Sequence, residues 1–512
     1  MTQAPEPRGE SFRPWRAAAA FVVFAAVWAT PLEGLDGPAH RLLAVTCGMA
    51  VLWFTEAIPV AVTALVPVAA YPLLGIAGSK ETAAAYVSDL TFLFLGGMLL
   101  AAAIEAWDVH KRIALEAMAR VGTSPRALTG GLMLVSAALS MWISNTATSM
   151  MLLPIGLALL SQVDELTPDA TPADRTRLSV AMLLAIAYGA NVGGMATPVG
   201  TPTNTTLLDF WKRSDLLPGE GPSVGEWLVV ASPFCGAMLL TTFLVLTWRL
   251  PRAAGGVDRA FFDNRIAALG PLSGGGKVVL GVFAATAAAW ITRRPITLGE
   301  TTVWPGWQPG YEALLSRAGV ETAGMLHDAT VAGAAAVLLF LLPGRTRDGE
   351  VRPLLRWDEA ERSLPWGVLL LIGGGFAIAQ AFGTTGLAAW TGEVARDAFE
   401  GSPEWLVVGG SSALITVLTE FTTNVATIST LLPTLASMSE GLGVDARVVG
   451  VPATLAASCA FMLPIATPPN AVVYGSGRVP LLRMISTGVL LNAASVVLLT
   501  LISASVVRVV LS

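Results

Sequence analysis

Two nine-residue polar strings interrupt stretches that are otherwise apolar, and they are near copies of each other. One is Ser140-Met141-Trp142-Ile143-Ser144-Asn145-Thr146-Ala147-Thr148; the other is Thr419-Glu420-Phe421-Thr422-Thr423-Asn424-Val425-Ala426-Thr427. Each is followed by an apolar run and a proline, Pro154 or Pro433. Further along, each half carries a partner string, Gly200-Thr201-Pro202-Thr203-Asn204 or Ala466-Thr467-Pro468-Pro469-Asn470. Hydrocarbon penalises unpaired backbone and hydroxyl groups, so irregular polar segments persist there only where they line a cavity or are buried in protein. A duplicated pair of them is the signature of a transporter whose site lies at a repeat interface.

The membrane setting follows from composition. Of 512 residues, 54% are hydrophobic and 13% charged, against about 25% charged in soluble domains. Apolar runs give eleven spans, near 16–32, 39–56, 58–77, 90–107, 178–208, 226–249, 276–292, 328–343, 365–390, 446–476 and 482–511. Two hairpins fall near 126–160 and 403–437; each is too long for one span and carries its polar string at mid-length, as two half-length helices entering and leaving on one side would. The fold class is an all-α polytopic membrane protein with about 11 transmembrane helices and two re-entrant hairpins.

Proline and glycine should break spans 178–208 and 446–476 at about 197–204 and 464–470. The apolar run Arg16–Pro31 lacks a small-residue cleavage site and reads as a retained first span. Arginine and lysine concentrate on one side if the N-terminus is cytoplasmic: Arg8, Arg13 and Arg16; Lys111, Arg112, Arg120 and Arg126; Arg175 and Arg177; Arg252, Arg259 and Arg265; and five arginines from Arg345 to Arg362. The C-terminus then lies outside. The hairpins enter from opposite sides, making the repeat inverted. Its spacing is nearly constant: Gly96 matches Gly374 and Ser144 matches Thr423 at almost the same offset, and Thr201 matches Thr467 at a slightly shorter one. The Gly/Pro-rich parts 251–276 and 293–327 read as loops, the second covering the outer face.

Helix N-termini offer N–H donors and a positive dipole end to a carboxylate. Asn145, Asn424, Thr146 and Thr467 add side-chain donors. Sodium, a hard cation, wants oxygens; Ser140, Ser144, Thr419, Thr423, the asparagine amides and carbonyls freed near Gly200 and Ala466 supply them. Ser140/Ser144 and Thr419/Thr423 are four apart, placing each pair on one helical face. One such string is most simply helix-to-helix glue; two matched strings, each with a Thr-Pro-x-Asn break, argue for one cation site per half and a shared anion site. Glu56 and Glu420 read as structural carboxylates, and Glu105 and Asp108 with His110-Lys111-Arg112 as a solvated cluster. Gly96-Gly97 and Gly373-Gly374-Gly375 read as close-packing positions.

At these strings the sequence resembles the divalent anion:sodium symporter family, which includes the sodium/dicarboxylate and sodium/sulfate symporters. Its marks are Thr55-Glu56-Ala57-Ile58-Pro59 with Val62-Thr63-Ala64-Leu65, Ser144-Asn145-Thr146, Pro365-Trp366-Gly367, Thr423-Asn424-Val425 and Pro464-Ile465-Ala466-Thr467-Pro468-Pro469-Asn470. The resemblance implies a homodimer with an elevator mechanism: N-terminal scaffold helices (1–89), a first transport part (90–225), scaffold helices and loops (226–364), a second transport part (365–480) and a C-terminal helix (481–512). It implies a first sodium site of Ser140, Ser144, Asn145 and Gly200, and a second of Thr419, Thr423, Asn424 and Ala466. Substrate carboxylates would meet Ser144, Asn145, Thr146, Thr423, Asn424, Thr467 and Pro468, with Thr201 and Pro202 at the pseudo-symmetric position. The chain departs from the family at Val425, which lacks a hydroxyl, and at Thr203, where proline is common.

The expected function is sodium-coupled uptake of C4 dicarboxylates (succinate, malate, fumarate) across a bacterial inner membrane. A sodium-independent exchanger, or a citrate or sulfate carrier, is the alternative on the same fold. No basic residue lies in the motifs to replace a cation, which favours symport. Three scattered histidines and three scattered cysteines form no nucleophile or metal constellation, which argues against an enzyme; nothing points to nucleic acid. An inverted repeat with midplane breaks argues against a passive channel.

Overall fold

The computed structural model describes residues 14–502, apart from 36, 123, 215, 218, 220, 249, 251–258, 299–300, 321–324 and 400, together with 507. The orientation argument from Arg8, Arg13 and Arg252, and the end of the last span, fall outside the described residues.

Helix α1 (Pro14–Ala29) packs on α2 (Gly37–Thr55). Glu56, left-handed at φ 47°, ends α2. The expected span 58–77 divides into α3 (Val60–Thr63) and α4 (Val66–Leu73), with Pro67 in the first turn of α4. Helix α5 (Ser79–Ala85) follows, and a Ser88 capping box opens α6 (Asp89–Ala106). Asp108, left-handed at φ 53°, turns the chain into the amphipathic α7 (Val109–Val121).

The first hairpin is α8 (Pro125–Ser140) and α9 (Asn145–Leu166); the first broken helix is α10 (Pro172–Gly194) and α11 (Pro202–Arg213); α12 (Val224–Thr247) closes the unit. At 22 residues, α9 exceeds the expected half-length. The connecting region holds α13 (Arg259–Ala268), α14 (Gly274–Ile291), the strand pair β1 (Ile296–Leu298) and β2 (Thr301–Trp304), α15 (Gln308–Arg317), α16 (Asp328–Leu341), the strand pair β3 (Pro343–Arg345) and β4 (Val351–Pro353), and α17 (Trp357–Ser363). The segments read as loops thus contain short helices and an antiparallel strand pair. The buried Arg293–Asp328 ion pair, 2.5 Å, ties the end of α14 to α16, and Asp328 also accepts from the Val224 amide of α12.

The second unit is α18 (Trp366–Thr385), α19 (Leu387–Phe399), the hairpin α20 (Glu404–Leu418) and α21 (Asn424–Gly441), the broken helix α22 (Ala446–Ala457) and α23 (Pro468–Gly475), and α24 (Leu481–Ile502). Gly386, at φ 81°, ends α18, so the span expected at 365–390 becomes two helices. The second unit repeats the first in register: α19 starts where α7 would recur, and α20 and α21 start where α8 and α9 would, all at nearly one offset. The contacts are reciprocal: α10 meets α23 while α22 meets α11, and α9 meets α23 while α21 meets α11. Such an exchange is what a pseudo-two-fold axis produces.

Seven helical stretches are long and apolar enough to cross a bilayer, with five shorter apolar helices among the described residues. The glycine motifs do the close packing their sequence indicated. A methyl on Gly97 would collide with the Val199 side chain, and one on Gly375 with the Ser429 hydroxyl.

Candidate functional site

The two hairpin turns are built alike. Ser144 and Thr423 are the N-caps of α9 and α21, their hydroxyls accepting from the amides of Ala147 (3.2 Å) and Ala426 (3.3 Å). This corrects the helical-face reading of Ser140/Ser144 and Thr419/Thr423. The first helix of each hairpin stops at Ser140 or Leu418, and the four-residue spacing spans a turn instead of one helical turn. The hydroxyls still converge. Ser140 donates to Asn145 Oδ1 at 2.6 Å, and Thr419 Oγ1 lies 2.9 Å from Asn424 Oδ1 and 2.7 Å from the Ala457 carbonyl.

The broken helices meet these turns. A methyl on Gly194 would collide with Asn145 Oδ1; one on Gly200 would lie 2.5 Å from the Gly194 carbonyl and 2.9 Å from the Ser140 carbonyl. The Asn145 amide and the carbonyls of Ser140, Gly194 and Gly200 therefore lie close together, and their oxygens are the kind that could hold a hard cation. Thr197 locks this break by donating to the Met141 carbonyl (2.5 Å) and accepting from the Gly200 amide (3.1 Å). In the second half, Ala466 donates its amide to the Leu463 carbonyl at 3.2 Å. Glu420 holds that loop: its carboxylate accepts from the Met462 and Leu463 amides, both at 2.9 Å, and from Asn492 at 2.7 Å.

Asn204 and Asn470 act as matched staples. Asn204 donates to the carbonyls of Met195 and Thr197, and Asn470 to those of Ala460 and Leu463, each pairing groups that the break leaves free in apolar surroundings. Thr201 and Thr467 are the N-caps of α11 and α23, both buried, with Pro202 and Pro468 in the first turn. The halves also touch directly: Asn191 to Thr467 (3.1 Å), Thr203 to Ser458 (2.9 Å) and Tyr188 to the Phe461 carbonyl (2.7 Å).

Thr146 is half-buried one residue into α9. Val425 is 7% exposed and packs in an apolar cluster with residues of α2 and α18, including Met49 and Phe376. A cavity of about 690 Å³ lies elsewhere, between α14 and α16, and none of the predicted site residues lines it. The cluster at 105–112 is only partly solvated: Lys111 pairs with Asp108 at 2.7 Å, whereas His110 is buried with Nδ1 3.1 Å from the Ile104 carbonyl. Burial holds that imidazole below its ordinary pKa.

Sequence reasoning missed Asn191, Gly194, Thr197, Ser458 and Asn492. For Asn191 and Asn492 the available signal was an amide inside a mainly apolar membrane helix; Gly194, Thr197 and Ser458 lie at the helix breaks, where only the break itself was announced.

A family model described as the sodium:sulfate symporter transmembrane region matches residues 12–512. The sodium-dependent dicarboxylate transporter SdcS of Staphylococcus saprophyticus is 35% identical over 476 residues, covering 92% of this chain and 86% of the relative. The protein of the same name from Staphylococcus aureus strain NCTC 8325 is 34% identical over the same length and the same shares. Among solved structures, MtrF of Neisseria gonorrhoeae, described among antimetabolite efflux pumps, is similar at TM-score 0.53 and 11% identity, covering 94% of this chain and 96% of that one. The YdaH transporter of Alcanivorax borkumensis is similar at TM-score 0.50 and 16% identity, covering 95% and 96%. At these identities the structural likeness concerns the fold alone.

Proposed function

The chain belongs to the sodium:sulfate symporter family, and on that premise we propose that it couples the inward movement of sodium to uptake of a C4 dicarboxylate such as succinate, malate or fumarate. Its family is one of transporters, not enzymes. The observation that carries the reading is the pairing of each hairpin asparagine with a hydroxyl from the preceding helix end, Ser140 with Asn145 and Thr419 with Asn424. Each pair is an oxygen site without a basic residue, so a bound cation supplies the positive charge that a dianion needs. Ser144, Gly200, Thr423 and Ala466 complete the two sodium sites, and Thr146, Thr201, Thr467 and the first turns at Pro202 and Pro468 face the anion. The named activity of the staphylococcal relatives supports sodium and dicarboxylate as cargo.

The transport parts, 90–225 and 365–480, would move as an elevator against a dimeric scaffold formed from 1–89 and 226–364 in a bacterial inner membrane, with the N-terminus cytoplasmic. Radiolabelled succinate uptake into proteoliposomes tests the reading. Uptake driven by an inward sodium gradient and not by an equal potassium gradient is expected. Uptake that instead requires internal succinate would replace symport by exchange. Competition by citrate or sulfate, with none by malate or fumarate, would move the substrate class.

A further inference from the structure

We propose that Asn191, from the first broken helix, is a positioning residue that aims the hydroxyl proton of Thr467, on the second, at the transported anion. The inference rests on the functional reading above and names a residue that no motif marks.

The argument is one of donor and acceptor inventory. An asparagine amide has two N–H donors and one carbonyl acceptor, and a hydroxyl has one donor and two acceptor positions. Asn470 spends both donors on the carbonyls of Ala460 (3.0 Å) and Leu463 (3.1 Å). Its Oδ1 is therefore the atom that faces Asn191, at 3.4 Å from Asn191 Nδ2. Asn191 must present its NH₂ on that side, and the same nitrogen lies 3.1 Å from Thr467 Oγ1. The Thr467 hydroxyl also accepts from the Asn470 amide at 3.4 Å. Both neighbours are donors, so the hydroxyl can only accept from them, and its own proton is directed away.

All three side chains are buried, at 2% exposure or less for Asn191 and Asn470 and 3% for Thr467. Thr467 caps the first turn of α23, where N–H groups already favour negative charge. A hydroxyl held as a donor at that position adds a hydrogen bond to a carboxylate, and donation to an ionised acceptor is the stronger kind. Among the described residues, the pseudo-symmetric Thr201 has no such director. Its hydroxyl pairs with Thr203, which pairs with Ser458, a chain of hydroxyls in which every member can reverse. Asn191 therefore makes the two break threonines unequal: Thr467 is a fixed donor and Thr201 an adaptable one.

The test is a thermal-shift titration of the purified full-length protein with succinate, citrate and sulfate at saturating sodium. Asn191→Ala is expected to weaken succinate by roughly tenfold, the loss of one oriented hydrogen bond to a charged group. In a Thr467→Val background the same change adds nothing. Thr467→Ser keeps a hydroxyl and remains sensitive to Asn191→Ala. Asn191→Asp has nearly the same shape but offers acceptors that turn the Thr467 proton round; it weakens succinate as well and carries the test if the alanine variant does not fold. Wild-type affinity in Asn191→Ala, or a full tenfold loss that persists beside Thr467→Val, would overturn the role of Asn191 and leave the functional reading intact. A wild-type protein that responds to none of the three anions would overturn both.

Discussion

The two halves solve one problem with different chemistry. In the first, the break between α10 and α11 is seven residues long, 195–201, and neutral groups satisfy it: Thr197 bridges Met141 and Gly200, and Asn204 staples two carbonyls. In the second, the break between α22 and α23 is ten residues, 458–467, and a buried carboxylate is added. Glu420 stands directly after Thr419, where the first hairpin has Met141 directly after Ser140. A longer irregular segment leaves more N–H groups unpaired in an apolar setting, and two of them, from Met462 and Leu463, go to Glu420. Symmetry of outline therefore coexists with asymmetry of charge.

The largest expected effect separates the halves by stability. Glu420→Ala leaves two buried amides and Asn492 without their acceptor and should cost on the order of 3–5 kcal/mol, read as a fall in the thermal midpoint of the detergent-purified protein. Met141→Ala, its counterpart, removes only a half-buried apolar side chain and should cost about 1–2 kcal/mol. Equal losses would break the comparison.

A second contrast concerns the matched positions 200 and 466, each directly before the threonine that restarts its helix. A Cβ is already present at Ala466, whereas at Gly200 it would lie within 3 Å of the Gly194 and Ser140 carbonyls. Gly200→Ala should weaken sodium activation of uptake by at least about tenfold, because the backbone must move to relieve contacts real Cβ atoms do not make. Ala466→Gly should change it by less than about threefold, the entropy of one glycine. Sodium titration of both variants sharpens or removes the distinction.

The smallest effect concerns Val425. Since its side chain lies in an apolar cluster, Val425→Thr should cost about 1–2 kcal/mol for burying a hydroxyl and leave the order of preference among succinate, citrate and sulfate unchanged in competition assays. A reordered preference would return position 425 to the anion site.

Much of this arrangement was legible in the chain. Polar strings inside apolar runs located both hairpin turns, and the Thr-Pro-x-Asn strings located both helix restarts, because proline and hydroxyl caps act locally. The paired glycines announced close packing for the same reason. The pair α7 and α19 was not legible: charged residues of α7 suggested a solvated cluster, and α19 was partly merged into the preceding span. The roles of Asn191, Ser458 and Asn492 were hidden for a different reason. Their partners lie 276, 255 and 72 residues away, and no local rule announces a hydrogen bond between segments so distant in the chain. The shared face of Ser140 and Ser144 failed as a reading because it assumed a helix through residues where the chain turns.

If each half holds its own sodium site, the sodium-concentration dependence of succinate uptake will show it, measured in wild-type proteoliposomes beside Asn145→Ala and Asn424→Ala. A cooperative sodium response is expected in the wild type, becoming hyperbolic and weaker in each variant, with residual uptake at high sodium. A wild-type response that is already hyperbolic, or variants that keep the wild-type sodium curve, would contradict it.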